Sequence, residues 1–198
     1  MTSDTEYTRS LIVNGVSAFP AISQTATEAL RLLSDPNSDF AVVERVVKLD
    51  PGLTANVLKL ANSAYFNVSG EISSVRQGIA RIGWNRMRQL VVTAAVNGIM
   101  EGPVAGYGLP PGALWKHAVG VSIAAEALAR EHGLRTPEDV FTAALLHDVG
   151  KLVMGRYTES YFDLIEMAVS RGLSFDKAER EVLGTDHAEV GAWILERW

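Results

Sequence analysis

Hydrophobic positions recur at three- and four-residue intervals along almost the whole chain. Apolar residues with that spacing share one face of an α-helix, so the pattern predicts a series of amphipathic helices. Leu11, Ile12, Val13 and Val16 predict a short helix or arm docked on the body. It breaks at Phe19-Pro20, because proline disfavours a helical residue before it. Ala26, Ala29, Leu30 and Leu33 mark the next helix, ended by Asp35-Pro36-Asn37. Asp39 is placed to cap a helix with Val42, Val43, Val46 and Val47 on its inner face. After an Asp50-Pro51-Gly52 turn, Leu53, Val57, Leu60, Ala61 and Ala64 make another, and Asn67 to Gly70 reads as a loop. Val75, Ile79 and Ile82 then form a short helix stopped by Gly83, followed by one through Met87, Leu90, Val91, Ala94 and Ala95. No useful length alternates with period 2, so strands are not expected.

Gly102 to Gly112 is the one strongly Gly/Pro-rich stretch and the best internal boundary. Beyond it, Leu114, Ala118, Val121, Ala125 and Leu128 form a long stripe, with His117 at its edge pointing inward. Thr136-Pro137 opens a helix carried through His147. A period of 3.6 sets Val140, Ala144, His147 and Lys151 on one stripe and Phe141, Leu145, Asp148 and Leu152 on the next. Helices over residues 157–170 and 174–183 follow. Asp186 caps a last helix through Val190, Gly191 and Ile194. The expected fold class is all-α, in two packed helical parts covering residues 1–105 and 106–198.

Composition narrows this picture. At 198 residues and 47% hydrophobic, the chain has ample material for a core. A net charge of -5 argues against nucleic acid as the main partner. With no cysteine there is no disulfide framework and no thiolate metal site, which is compatible with a reducing cytoplasm. No apolar run approaches the roughly 18 residues a membrane span needs. Met1 to Ser10 lacks the apolar region of a signal peptide. A cytoplasmic protein without membrane contact is expected.

The candidate chemistry centres on Ala143 to Lys151. A helix apolar on two stripes is buried, so Asp148 needs a cation, a strong donor or a proton. His147 lies beside it and Lys151 one turn on. A lone His-Asp pair also fits a buried aspartate held by backbone donors next to a core histidine. The wider pattern adds His117 and His187, each inward on its own helix and 30 and 40 residues from His147. Three imidazoles and a carboxylate from separate helices suit zinc, iron or manganese, or a pair of such ions. Arg76, Arg81, Arg86 and Arg88 line a helix–Gly83–helix corner that a DNA-binding helix-turn-helix would resemble, or an ordinary solvated face. Trp84, Tyr65 and Phe66 near it read as core aromatics.

Two long segments carry a family resemblance. One runs from Asp50-Pro51-Gly52-Leu53 through Asn62-Ser63-Ala64-Tyr65-Phe66 to Ile79-Ala80-Arg81-Ile82-Gly83. The other comprises Leu145-Leu146-His147-Asp148-Val149-Gly150-Lys151 and Gly184-Thr185-Asp186-His187-Ala188-Glu189-Val190-Gly191. Together they resemble the HDOD domain, the HD-related output domain of bacterial signalling proteins, over nearly the whole chain after about residue 18. The resemblance implies an HD-like helical bundle in the second part. It also implies His117, His147, Asp148 and His187 as metal ligands, and Lys151 as the lysine that approaches a substrate phosphate in hydrolytic relatives. The chain departs from the cyclic-dinucleotide-cleaving branch, with Leu-Val-Met-Gly-Arg-Tyr after Lys151 in place of a Gly-Tyr-Pro segment. The family usually continues past a position like Trp198, so the second part is expected to be truncated.

The expected function is a regulatory, non-catalytic output module that binds a signalling protein or a nucleotide second messenger, with no catalytic residues assigned. The alternative is a metal-dependent phosphohydrolase acting on nucleotides or cyclic dinucleotides. DNA binding through the arginine corner is a third reading.

Overall fold

The structure is a computed structural model that describes residues 3–35, 37–67 and 70–198. Pro36, expected to help end a helix, and residues 68–69 of the expected 67–70 loop lie outside the described residues. The fold is all-α. Among the described residues the helices are α1 (Ser3–Ala18), α2 (Gln24–Ser34), α3 (Phe40–Val47), α4 (Pro51–Ala61), α5 (Val75–Ile82), α6 (Trp84–Met100), α7 (Ala113–Glu131), α8 (Pro137–Leu146), α9 (Lys151–Ser170), α10 (Phe175–Leu183) and α11 (His187–Leu195). A 3-10 turn occupies Ala105–Tyr107, and an isolated bridge joins Val104 to Leu109. No helix among the described residues is long and apolar enough to cross a membrane.

Side-chain caps set several helix starts. Ser23, Asp39, Asp50, Ser74 and Asp186 each accept a backbone N–H of the first turn, typically worth about 1 kcal/mol. Asp50 precedes Pro51 at a position where the missing proline N–H has no helical partner to lose.

The chain forms two compact units that are interleaved, where two consecutive parts meeting near residue 105 were expected. One gathers residues 1–21, 100–122 and 143–198, and the other residues 22–99 and 123–142. In the first unit, α1, α10, α11 and the 3-10 turn pack against α9, around Ile12, Val16, Val149, Val153, Met154, Ile165, Leu183, Val190 and Ile194. Each such side chain contributes about 1.5–3 kcal/mol of burial. α1 is a full helix, tied down by Tyr157 Oη donating to the Leu11 carbonyl at 2.9 Å and Arg197 to the Val16 carbonyl at 3.0 Å.

The Gly/Pro-rich stretch is part of this unit and not a linker. A Cβ at Gly106 would lie 2.1 Å from Thr158 Oγ1 and 2.2 Å from the Gly155 carbonyl oxygen. Glycine there serves the close approach of the 3-10 turn to α9, which seats Tyr107 over the unit's interior.

In the second unit α2, α3, α4 and α5 pack on one another. Asn62 pins the segment after α4, donating to the Leu58 and Ile72 carbonyls at 2.9 and 2.8 Å and accepting from Ile72 N–H at 2.8 Å. The inner face of α7 differs from the expected stripe. Leu128 is 57% exposed, while Glu126, two residues earlier, is 1% exposed. Hydrophobicity misplaced the stripe because the buried position is acidic and satisfied. Tyr65 Oη donates to Glu126 Oε2, Arg130 to Oε1 at 2.6 Å, and Arg86 reaches Oε2 at 3.4 Å.

Candidate metal centre

The helix expected to run through His147 and Asp148 stops before them. α8 ends at Leu146, residues 147–150 form a turn with bonds from Val149 N–H to the Leu146 carbonyl (3.1 Å) and Lys151 N–H to the Asp148 carbonyl (3.0 Å), and α9 starts at Lys151. The turn meets a segment far along the chain. A Cβ at Gly150 would stand 1.9 Å from the His187 carbonyl oxygen and 2.6 Å from Gly191 N. The turn rests backbone to backbone on the first turn of α11, and that contact brings His187 alongside Asp148.

Asp148 is 2% exposed, as its apolar surroundings required. Lys151 Nζ donates to Oδ2 at 2.7 Å. His147 Nε2 and His117 Nε2 stand 3.4 and 3.5 Å from the same oxygen, and His187 Nε2 stands 3.6 Å from Oδ1. All four candidate ligands and Lys151 therefore converge within the first unit, though not as equals. The donor atoms of His117, His147 and Asp148 lie within 4.8 Å of one another, a set that does not include His187, which flanks the other carboxylate oxygen. His117 and His147 also differ from the inward placement expected of them. Their side chains are 54% and 37% exposed, so they form an open rim over a buried carboxylate. The turn that replaces the expected helix carries His147 out to that rim.

The imidazoles are held in orientations that suit ligation. His147 Nδ1 lies 2.6 Å from the Ala144 carbonyl, which only accepts, so Nδ1 carries a proton and, in the neutral imidazole, the lone pair lies on Nε2. His187 Nδ1 lies 2.6 Å from Glu179 Oε2, and the His187 backbone N–H donates to that oxygen at 3.0 Å. Burial pushes the His187 imidazole down, but the Glu179 hydrogen bond and charge outweigh it and the net shift is upward. Tyr107 Oη donates to Glu179 Oε1, and burial first, then the Glu179 charge, drives the phenol well above its ordinary range. Lys151 Nζ lies 5.6 Å from the Tyr107 ring centroid, a cation–π placement.

Glu179 and Tyr107 were missed by reading the sequence. Tyr107 sits in a stretch that looks like a linker. Glu179 carried a readable signal: Phe175, Glu179 and Leu183 fall four apart on one helical stripe, which makes the glutamate an inward-facing residue.

This donor set fits a single divalent ion such as zinc, iron or manganese. The nearby carboxylates that could widen it are turned elsewhere. Glu189 binds Thr185 Oγ1 at 2.8 Å and pairs with Arg9 at 3.4 Å and Arg180 at 3.7 Å, and Glu196 is exposed. At the arginine corner, Arg88 pairs with Asp139 at 2.6 Å, Arg86 is engaged with Glu126 and the Tyr65 ring, and Arg81 donates to the Glu71 carbonyl at 3.1 Å. The ion pairs of Arg86 and Arg88 reduce the free positive charge a DNA surface needs.

An all-helical chain with a histidine-rimmed buried aspartate on a turn between helices defines the class of architecture. Comparison with known families then makes the assignment: the HDOD domain matches residues 19–198, and the chain belongs to that family. An HDOD domain protein of unknown function from Geobacter sulfurreducens has a similar solved structure, with 28% identity, a TM-score of 0.79, and coverage of 98% of this chain and 65% of that one. A Shewanella amazonensis protein named for a presumed phosphohydrolase activity is similar at 29% identity and a TM-score of 0.74, over 94% of this chain and 66% of the other. An uncharacterized protein of Treponema pallidum (strain Nichols) is 22% identical over 189 residues, 94% of this chain. The chain spans 36% of that relative's length.

Proposed function

We propose that this chain is a regulatory output module of bacterial signal transduction that works by binding a signalling protein or a nucleotide second messenger. In this reading one divalent metal, held by His117, His147 and Asp148 with His187 at its flank, ties the turn after α8 to α7 and α11. The observation that carries it is the tie-up of the carboxylates. Asp148 Oδ2 already receives Lys151 Nζ at 2.7 Å, and Glu189 is committed to Arg9, Arg180 and Thr185. Hydrolysis of a phosphoester commonly relies on a second ion to stabilise the leaving oxygen, and among the described residues no second group of ligands is gathered beside His117, His147 and Asp148.

A second reading as a metal-dependent phosphohydrolase has its own support. His117 and His147 are open to solvent, so coordination positions are accessible, and Lys151 stands where a phosphate oxygen could meet it. The Shewanella relative's name points the same way. A bound metal would supply Lewis-acid polarisation and a more acidic water. The protein would contribute the Lys151 charge and the fixed Nε2 lone pair of His147.

The experiment is metal analysis of protein purified without added metal, followed by assays with manganese, iron or zinc against nucleotides and cyclic dinucleotides. The expected result is bound metal without turnover. Turnover abolished by both His147→Ala and Asp148→Ala, with the helical circular dichroism spectrum retained, would replace the regulatory reading with the enzymatic one.

A further inference from the structure

We infer that Glu179 and Tyr107 are positioning residues of the metal centre: buried Glu179 fixes His187 in the tautomer whose Nε2 is bare, and Tyr107 holds Glu179. This rests on the metal centre proposed above. Glu179 has no exposed surface, so its charge persists only if donors compensate it. Three converge on it: the Tyr107 hydroxyl on Oε1, and the His187 backbone N–H (3.0 Å) and Nδ1 (2.6 Å) on Oε2. A carboxylate only accepts, so Nδ1 must supply the proton. In a neutral imidazole that leaves the lone pair on Nε2, which faces Asp148 Oδ1 at 3.6 Å.

The grip on the backbone adds to the grip on the ring. His187 is the first residue of α11, next to the Asp186 cap, where N–H groups lack helical partners. Negative charge there is favoured by the helix dipole. Glu179 therefore locates both the ring and the main chain of His187. Tyr107 reaches Glu179 because the 3-10 turn is pressed onto α9 at Gly106. A carboxylate that orients a metal-bound histidine through its second nitrogen is a general device, and its loss typically costs about 10–100-fold in metal affinity.

The test uses the full chain, with 15N chemical shifts of the imidazoles recorded without metal in alkaline solution, and zinc affinity measured by competition with a chelator. In the wild type, His187 should carry its proton on Nδ1. Glu179→Met keeps the length of the side chain but removes both acceptor oxygens, so Nδ1 loses its acceptor. The proton should move to Nε2 and zinc affinity should fall about 10–100-fold. Tyr107→Phe leaves both His187 bonds to Oε2 intact, so the tautomer should stay and affinity should fall less. A folded Glu179→Met protein with the wild-type tautomer overturns the role of Glu179. Should that variant not fold, a wild-type His187 protonated on Nε2 overturns it equally. A tautomer that switches as expected, in proteins that all fail to bind zinc, refutes the metal centre itself and with it the positioning of a ligand.

Discussion

Lys151 Nζ lies 2.7 Å from Asp148 Oδ2, the oxygen that His117 and His147 also approach. A metal ion bound by those imidazoles would therefore neutralise the same buried charge as the lysine. Lys151→Met removes one cation and leaves a carboxylate that is 2% exposed. The expected loss is about 1–3 kcal/mol in the metal-free protein, seen as a lower urea midpoint. Zinc or manganese should restore more stability to the variant than to the wild type, because binding to the folded state alone is stabilising. Equal metal responses in the two proteins would separate Lys151 from the centre.

Gly150 offers a second test. Its hypothetical Cβ meets the His187 carbonyl oxygen at 1.9 Å, whereas that of Gly191 finds nothing nearer than Gly150 N at 3.4 Å. Gly150→Ala must push the turn away from α11 and should cost about 3 kcal/mol, the upper part of the overpacking range. Gly191→Ala, inside α11, should be near neutral, since alanine's helical preference offsets the contact. Thermal melts of the two variants make the comparison.

Asn62 carries out the work of three backbone bonds around the end of α4. Asn62→Ala leaves the Ile72 N–H and carbonyl without these partners, and a loss of about 1–3 kcal/mol is expected. The measurement is the denaturant midpoint. An unchanged midpoint would remove the structural role assigned to this residue.

Glu126 sets a pH dependence. Burial raises its pKa, but the bonds from Tyr65 and Arg130 and the charges of Arg86 and Arg130 outweigh it, and the folded value is lowered from 4.5. A carboxyl with a depressed folded pKa contributes stability that is complete above its unfolded value. That contribution is lost as pH falls through the folded value. The wild type should therefore exceed Glu126→Gln most in melting temperature at neutral pH. The gap should narrow as pH falls below 4.5. A gap independent of pH would mean that packing, not ionisation, gives Glu126 its part.

The helices were legible in the sequence because their period is local. Val43 and Val47 in α3, and Asp39 and Asp186 at their caps, need only residues within a turn or two of one another. Asp148 was legible for a related reason: an acid inside an apolar run must be compensated wherever the run folds. Local spacing also placed Phe175, Glu179 and Leu183 on one stripe, although the glutamate's acidity concealed its inward position.

Other features were settled only by contacts between residues distant in sequence. The turn after Leu146 is where Gly150 meets His187, a neighbour 37 residues on that no periodicity contains. The open rim of His117 and His147, the division into interleaved units and the approach of Tyr107 to Glu179 have the same origin. Spacing along a chain determines which face of a helix a side chain occupies. Which element covers that face, and at what distance, depends on the free energy of packing all the faces at once, and that is defined only in three dimensions.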